Sequence, residues 1–173
     1  MMQLRDFSSA DFSAILQLNE ESEHFLSPMD APRLALLAGE ASVRAVVEIQ
    51  KEEEKHIAGF LMCFREGCHY DSPNYRWFAE RYARFLYIDR VVVSQQFHGR
   101  GVGKRLYQEM LQRARLQDIT QVCCEYDLDP PNPVSAGFHH DFGFREVGQQ
   151  AVGAGKKIVS LQMLTLSAKS IVD

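Results

Sequence analysis

The chain has 173 residues, 46% hydrophobic and 24% charged, with a net charge of −4. That balance suits a soluble globular protein, and the length suits a single domain over residues 1–173 with a sizeable core. No apolar run approaches the roughly 18 residues a membrane helix needs, the opening MMQLRDFSSA lacks a secretory pattern, and an acidic chain argues against general nucleic-acid binding. The expectation is a cytoplasmic protein without membrane or nucleic-acid partners. Cys63, Cys68, Cys123 and Cys124 form no CxxC pair, and no second His or Cys pair has zinc spacing, so no metal site is expected.

In chain order, Gln3 to Phe7 reads as a first strand. Ser8 or Ser9 then caps a helix running to about Leu18, with Phe12, Ile15 and Leu16 on one side. Asn19 to Pro28 is a polar loop and Pro32 to Leu37 a short helix. Val43 to Ile49 and Ile57 to Phe64 are strands joined by the charged turn from Lys51 to Lys55. Residues 65–83 read as irregular and aromatic-rich. Phe85 to Val93, FLYIDRVVV, carries the strongest strand signal in the chain.

Gly101 to Gln117 reads as an amphipathic helix, because Val102, Leu106, Met110 and Ala114 recur every four residues. Gln121 to Tyr126 is a strand, and Asn132 to Phe142 a short helix closed by Gly143. Arg145 to Gly148 and Lys157 to Leu166 complete an α/β fold with a mixed sheet.

Charge is unevenly spread. Between His98 and Gln117, Arg100, Lys104, Arg105, Arg113 and Arg115 stand against Glu109 alone, so that stretch is +4 and the remainder −8. At its start an apolar strand runs into Gly99-Arg100-Gly101-Val102-Gly103 and straight into the helix. Glycines permit a tight turn with successive N–H groups exposed, and a helix N-terminus adds partial positive charge. A pyrophosphate suits such a site. A dinucleotide GxGxxG fails at Lys104 and Leu106, and a Walker loop fails at Arg105.

The segment His98-Gly99-Arg100-Gly101-Val102-Gly103 resembles the (Gln/Arg)-x-x-Gly-x-(Gly/Ala) motif of the GNAT superfamily of N-acetyltransferases, with His98 in place of Gln or Arg. Downstream, Asn132, Ser135, His139, Gly143 and Phe144 stand at the spacing of the family's Asn-x-x-Ala-x-x-x-Tyr-x-x-x-Gly-Phe. The resemblance covers nearly the whole chain. It implies a mostly antiparallel sheet of six or seven strands with about four helices, splayed between the fourth and fifth strands. It also implies acetyl-CoA as cosubstrate. Val91, Val92 and Val93 would border the pantetheine arm, residues His98 to Lys104 would hold the pyrophosphate, and Asn132 and Ser135 would attend the arm. His139 would stand where the family's tyrosine protonates the departing thiolate.

Acyl transfer to an amine is helped by a base. Asp89 is the first choice, sharing a face with Tyr87 and Val91, and a salt bridge with a basic neighbour is its alternative. Glu125, on the next strand, is the second choice. The aromatic stretch with Tyr75, Trp77 and Phe78, and the loop carrying Glu21, would line an acceptor pocket. The same rings would equally serve as a satellite core or a dimer surface, so a homodimer stays open. The function expected is acetyl transfer to a small-molecule primary amine. A silent acetyl-CoA-binding regulator and a protein N-acetyltransferase are the alternatives.

Overall fold

The computed structural model describes residues 2–51 and 53–167. Its elements are β1 (Met2–Asp6), α1 (Phe12–Glu20), α2 (Ala31–Glu40), β2 (Val43–Lys51), β3 (Glu54–Arg65) and α3 (Pro73–Ala79), then β4 (Leu86–Val93) and α4 (Val102–Leu116). They are followed by β5 (Gln121–Asp129), α5 (Pro133–Asp141), β6 (Arg145–Val152) and β7 (Lys157–Thr165). The result is a mixed seven-stranded sheet and five α-helices among the described residues. Contacts group the chain into two compact units, Met1–Phe64 with Ile88–Arg113, and Arg65–Tyr87 with Ala114–Asp173. Strand β4 is shared between them.

In the first unit the strand order is β1-β2-β3-β4, and β2 pairs antiparallel with both β1 and β3. The β2–β3 ladder runs further into the charged cluster than expected, pairing Lys51 with Glu54. Asp30 caps α2 by accepting from the Arg33 amide at 2.8 Å. The expected stripe on α4 is its buried face: Val102, Leu106, Tyr107, Met110, Leu111 and Ala114 are all buried. Arg5 donates to both oxygens of Asp11 at 2.8 and 2.7 Å and to Glu48 at 3.1 Å, tying β1 to the entry of α1 and to β2.

Gly59 sets the tightest approach in this unit. A Cβ at Gly59 would lie 2.6 Å from the Val92 carbonyl oxygen and 3.0 Å from Val102 Cγ1. Only a hydrogen fits between β3, the end of β4 and the first residue of α4.

In the second unit the first residues of β4 pair in parallel with β5, as Leu86↔Val122 and Tyr87↔Cys123. Strand β7 then pairs antiparallel with β5, and β6 with β7. The expectation of an irregular segment over 65–83 is corrected here by α3. Ser72 caps it by accepting from the Tyr75 amide at 3.3 Å, and Pro73 opens it. Aromatics on several sides of this short helix hide its period. Tyr75, Phe78, Phe85 and Tyr87 form one buried ring cluster, with Tyr75 and Tyr87 centroids 5.6 Å apart. Burying each such side chain contributes about 1.5–3 kcal/mol.

Gly59→Ala should destabilise the protein by about 1–3 kcal/mol through overpacking against backbone that cannot yield. Denaturant unfolding followed by circular dichroism measures it, and unchanged stability would show that β3 and β4 separate freely.

Candidate functional site

In the first unit, β4 ends at Val93 and α4 begins at Val102, with a glycine turn between. Gly99 and Gly101 have φ of +72° and +78°, conformations that favour glycine. Nothing lies within 4 Å of the position a Cβ would take at either, so the space beside both glycines is open. Helix α4 has no acid in its first turn, and its first amides lack intrahelical acceptors by construction. Arg100, Lys104 and Arg105 are exposed around it. The guanidinium carbon of Arg100 sits 5.6 Å from the Phe97 ring centroid.

These features fit a pyrophosphate. Val102 is buried, so it would serve such a ligand through its amide alone. His98, the departure from the motif, holds Nε2 3.0 Å from the Val93 carbonyl oxygen. Its side chain therefore fastens the turn to the end of β4.

Asp89 is an ion-pair partner. Its Oδ2 accepts from Arg90 Nε at 2.7 Å, with the two side chains only 6% and 5% exposed. Arg90 Nη1 also donates to Asn19 Oδ1 at 2.5 Å and to the Ser27 carbonyl at 3.2 Å. The guanidinium thus pins both ends of the loop after α1, which carries exposed Glu21. Burial, with the nearby Asp89 carboxylate as the second cause, pushes the Cys63 thiol well up. Cys63 is therefore an uncharged core residue.

In the second unit, half-buried Glu125 accepts from the Tyr87 hydroxyl at 3.0 and 2.9 Å, one distance to each carboxylate oxygen. Tyr87 is wholly buried, and the rings of Tyr75 and Phe78 pack against it. Tyr75 is 2% and Phe78 0% exposed, which corrects their expected place on an acceptor wall. Tyr75 instead donates to the Arg65 carbonyl at 2.7 Å and accepts from the Cys68 amide at 3.0 Å. Trp77 is half-buried, with the Arg81 guanidinium 4.1 Å from its centroid.

Asn132 caps α5, its Oδ1 accepting from the Ser135 amide at 3.1 Å. His139 is 4% exposed. Its Nδ1 lies 2.7 Å from the Ser135 carbonyl, which can only accept, so Nδ1 carries the proton. The ring stacks on Tyr126 at 6.0 Å and meets Phe144 edge-on at 5.3 Å. Burial holds the imidazole pKa below its ordinary value, opposed by the Ser135 hydrogen bond. The expected proton donor is thus a packed ring, 4% exposed, with its Nδ1 proton committed to the Ser135 carbonyl.

Three features were missed from sequence: Tyr87 on Glu125, the Arg90 clamp and the close approach at Gly59. Only the last has a sequence signal, a lone glycine inside a strand. Among the described residues no cluster of His, Cys, Asp or Glu is arranged for a metal, and no helix is long and apolar enough to cross a membrane.

A family model, the acetyltransferase (GNAT) family, matches residues 5–144. The chain belongs to that family, and with it to the acyl-CoA-dependent acetyltransferases acting on amine acceptors. No curated protein gives a significant sequence match. Among solved structures, the ribosomal-protein-S18-alanine N-acetyltransferase from Escherichia coli is similar at 12% identity, covering 100% of this chain and 99% of that one with a TM-score of 0.71. A putative phosphinothricin N-acetyltransferase is similar at 19%, covering 96% and 99% with a TM-score of 0.69. The putative acetyltransferase yncA from Salmonella typhimurium, solved with its cofactor acetyl-CoA, is similar at 19% identity, covering 99% and 98% with a TM-score of 0.69. At these identities the likeness shows the fold.

The depressed His139 pKa has a testable sign. Below the ordinary value of 6.5 the unfolded chain binds a proton that the buried ring refuses, so stability is full above that pH and falls as pH drops toward the folded pKa. Denaturation midpoints should fall across this window for wild type and fall less for His139→Tyr. Equal slopes would show that the ring charges freely in place.

Proposed function

We propose that the chain transfers an acetyl group directly from acetyl-CoA to the primary amine of a small cationic acceptor, within a ternary complex. The observation that carries the amine assignment is the Glu125 carboxylate, half-buried and held at both oxygens by a buried tyrosine hydroxyl. A base fixed in this way loses no side-chain entropy when it receives a proton.

Acetyl-CoA, when bound, supplies the acetyl group as an activated thioester. The amides of the glycine turn and of the start of α4 would hold its pyrophosphate, with Arg100 and Lys104 adding charge. Asn132 uses only its Oδ1 in capping, so its Nδ2 is available to a carbonyl of the pantetheine arm. Glu125 takes the proton from the acceptor amine. Asp89, committed to Arg90, is assigned a positioning role that fixes the loop after α1.

Exposed Glu20, Glu21 and Glu23 near that loop's start give it a negative potential that favours a cationic amine over an anionic sugar phosphate. The loop is held at both Asn19 and Ser27, which suits a defined small acceptor better than a variable peptide. Transfer to a protein N-terminus or lysine is the competing reading, and the same assay addresses it.

With acetyl-CoA and a panel of polyamines, amino-acid amides and short peptides, thiol release should be fastest for a small cationic amine. Glu125→Gln should lower kcat about 10²-fold with unchanged coenzyme affinity. Asp89→Asn should instead lower stability by about 3–5 kcal/mol, since it leaves the Arg90 charge buried without its partner. Peptides or anionic acceptors outperforming small cations would overturn the substrate class, and full turnover in Glu125→Gln would overturn the base.

A further inference from the structure

Glycines alone do not choose the conformation of the turn. Glycine takes positive and negative φ with comparable ease, and three of the six residues from His98 to Gly103 are glycine. Ordering so free a stretch on a ligand costs entropy that is subtracted from the affinity. The positive φ angles at Gly99 and Gly101 therefore need a cause outside the glycines, one that acts before any ligand arrives.

The segment ahead of the turn carries a series of fastenings. The Ser94 amide donates to the Ala58 carbonyl on β3 at 2.9 Å, and the Phe97 amide to the Ser94 carbonyl at 2.9 Å. Phe97 is buried, so its ring anchors the segment in the core. The last fastening is His98. Its Nε2 lies 3.0 Å from the Val93 carbonyl oxygen, which can only accept, so Nε2 carries a proton and donates it. Among the described residues Gly99 and Arg100 make no hydrogen bond, and the next link is the Gly101 carbonyl, which accepts from the Arg105 amide of α4 at 2.9 Å.

His98 is exposed, whereas Ser94 and Phe97 are buried, so it is the one fastening of the three that can be altered without disturbing the core. It also stands where the family pattern has Gln or Arg. Histidine, glutamine and arginine differ in size, shape and charge, and what they share is a side-chain N–H donor. We propose that His98 is a positioning residue for coenzyme binding: its donation to the Val93 carbonyl holds the unliganded glycine turn in the conformation that receives an anion. This rests on the assignment of the coenzyme A pyrophosphate to the turn. Without the bond the turn samples other glycine conformations, and the apparent affinity falls with the fraction that remains competent to bind.

Calorimetric titration with coenzyme A reads the effect without turnover. His98→Leu keeps bulk and loses the donor, and its Kd should rise about 3- to 10-fold, the span of one ordinary hydrogen bond. His98→Gln keeps a donor and should stay within about twofold of wild type. Dephosphorylated pantetheine, which lacks the anion, should bind wild type and His98→Leu alike. In unliganded His98→Leu the Gly99 and Gly101 amide resonances should move toward random-coil positions while resonances remote from the turn stay in place.

Equal coenzyme A affinity in wild type and His98→Leu overturns the proposal. So does a His98→Gln variant as weak as His98→Leu, because the donor is then not the active feature. An equal loss of pantetheine binding overturns it too, since His98 would then support the fold in general. Failure of the pyrophosphate assignment has its own signature: wild type binds coenzyme A with the amides of Gly99 to Lys104 unmoved, and the proposal falls with it. A protein that shows the expected His98 pattern and acetylates no amine strikes the substrate reading and leaves the His98 bond in its role.

Discussion

The first unit depends on the contact at Gly59. A strand carbonyl 2.6 Å from the place a Cβ would occupy, and a helix side chain at 3.0 Å, mean that β3, the end of β4 and the start of α4 are held at one point by the absence of a side chain. The glycine turn spans the short distance between the two elements so fixed. Its positive-φ residues are what let the backbone reverse there, and the space beside them is open. His98 closes the same loop from the other side by bonding Val93. An anion site made of backbone is only as precise as the elements that carry it, and here both are anchored within a few residues of the turn.

In the second unit the comparable constraint is a buried hydroxyl. Tyr87 is sealed inside the aromatic cluster, and an unpaired hydroxyl there would cost about 1–3 kcal/mol. Glu125 supplies the acceptor, so the demand of the core for hydrogen bonding becomes the orientation of a carboxylate. The rings of Tyr75 and Phe78 matter to the chemistry through this route. They pack on the tyrosine that orients the carboxylate proposed as the base.

Much of this was legible beforehand. Period-four apolar residues placed α4, alternation and β-branched residues placed β4, and the glycine pair with its downstream Asn, Ser, Gly and Phe pointed to the family. What stayed hidden rests mostly on contacts between residues distant in sequence. A lone Asp beside an Arg reads as a base or as an ion pair with equal ease, and only the burial of Arg90 against Asn19 and Ser27 decides. Tyr75, Trp77 and Phe78 read equally as a pocket wall or as packing, and the cap at Ser72 sets them on a helix whose Tyr75 and Phe78 pack on Tyr87. His139 occupies a motif position whose family role needs a proton to give away, but its Nδ1 proton is committed to the Ser135 carbonyl and its ring is buried against Tyr126 and Phe144.

The central claim is that an anion of coenzyme A sits on the backbone of the glycine turn. Titrating isotope-labelled protein with coenzyme A, and following every backbone amide by nuclear magnetic resonance, tests it most directly. The account predicts that the amides of Gly99 to Lys104 shift most, moving together to a common end point, and that dephosphorylated pantetheine leaves them in place. Saturable binding of coenzyme A with those amides unmoved would contradict it.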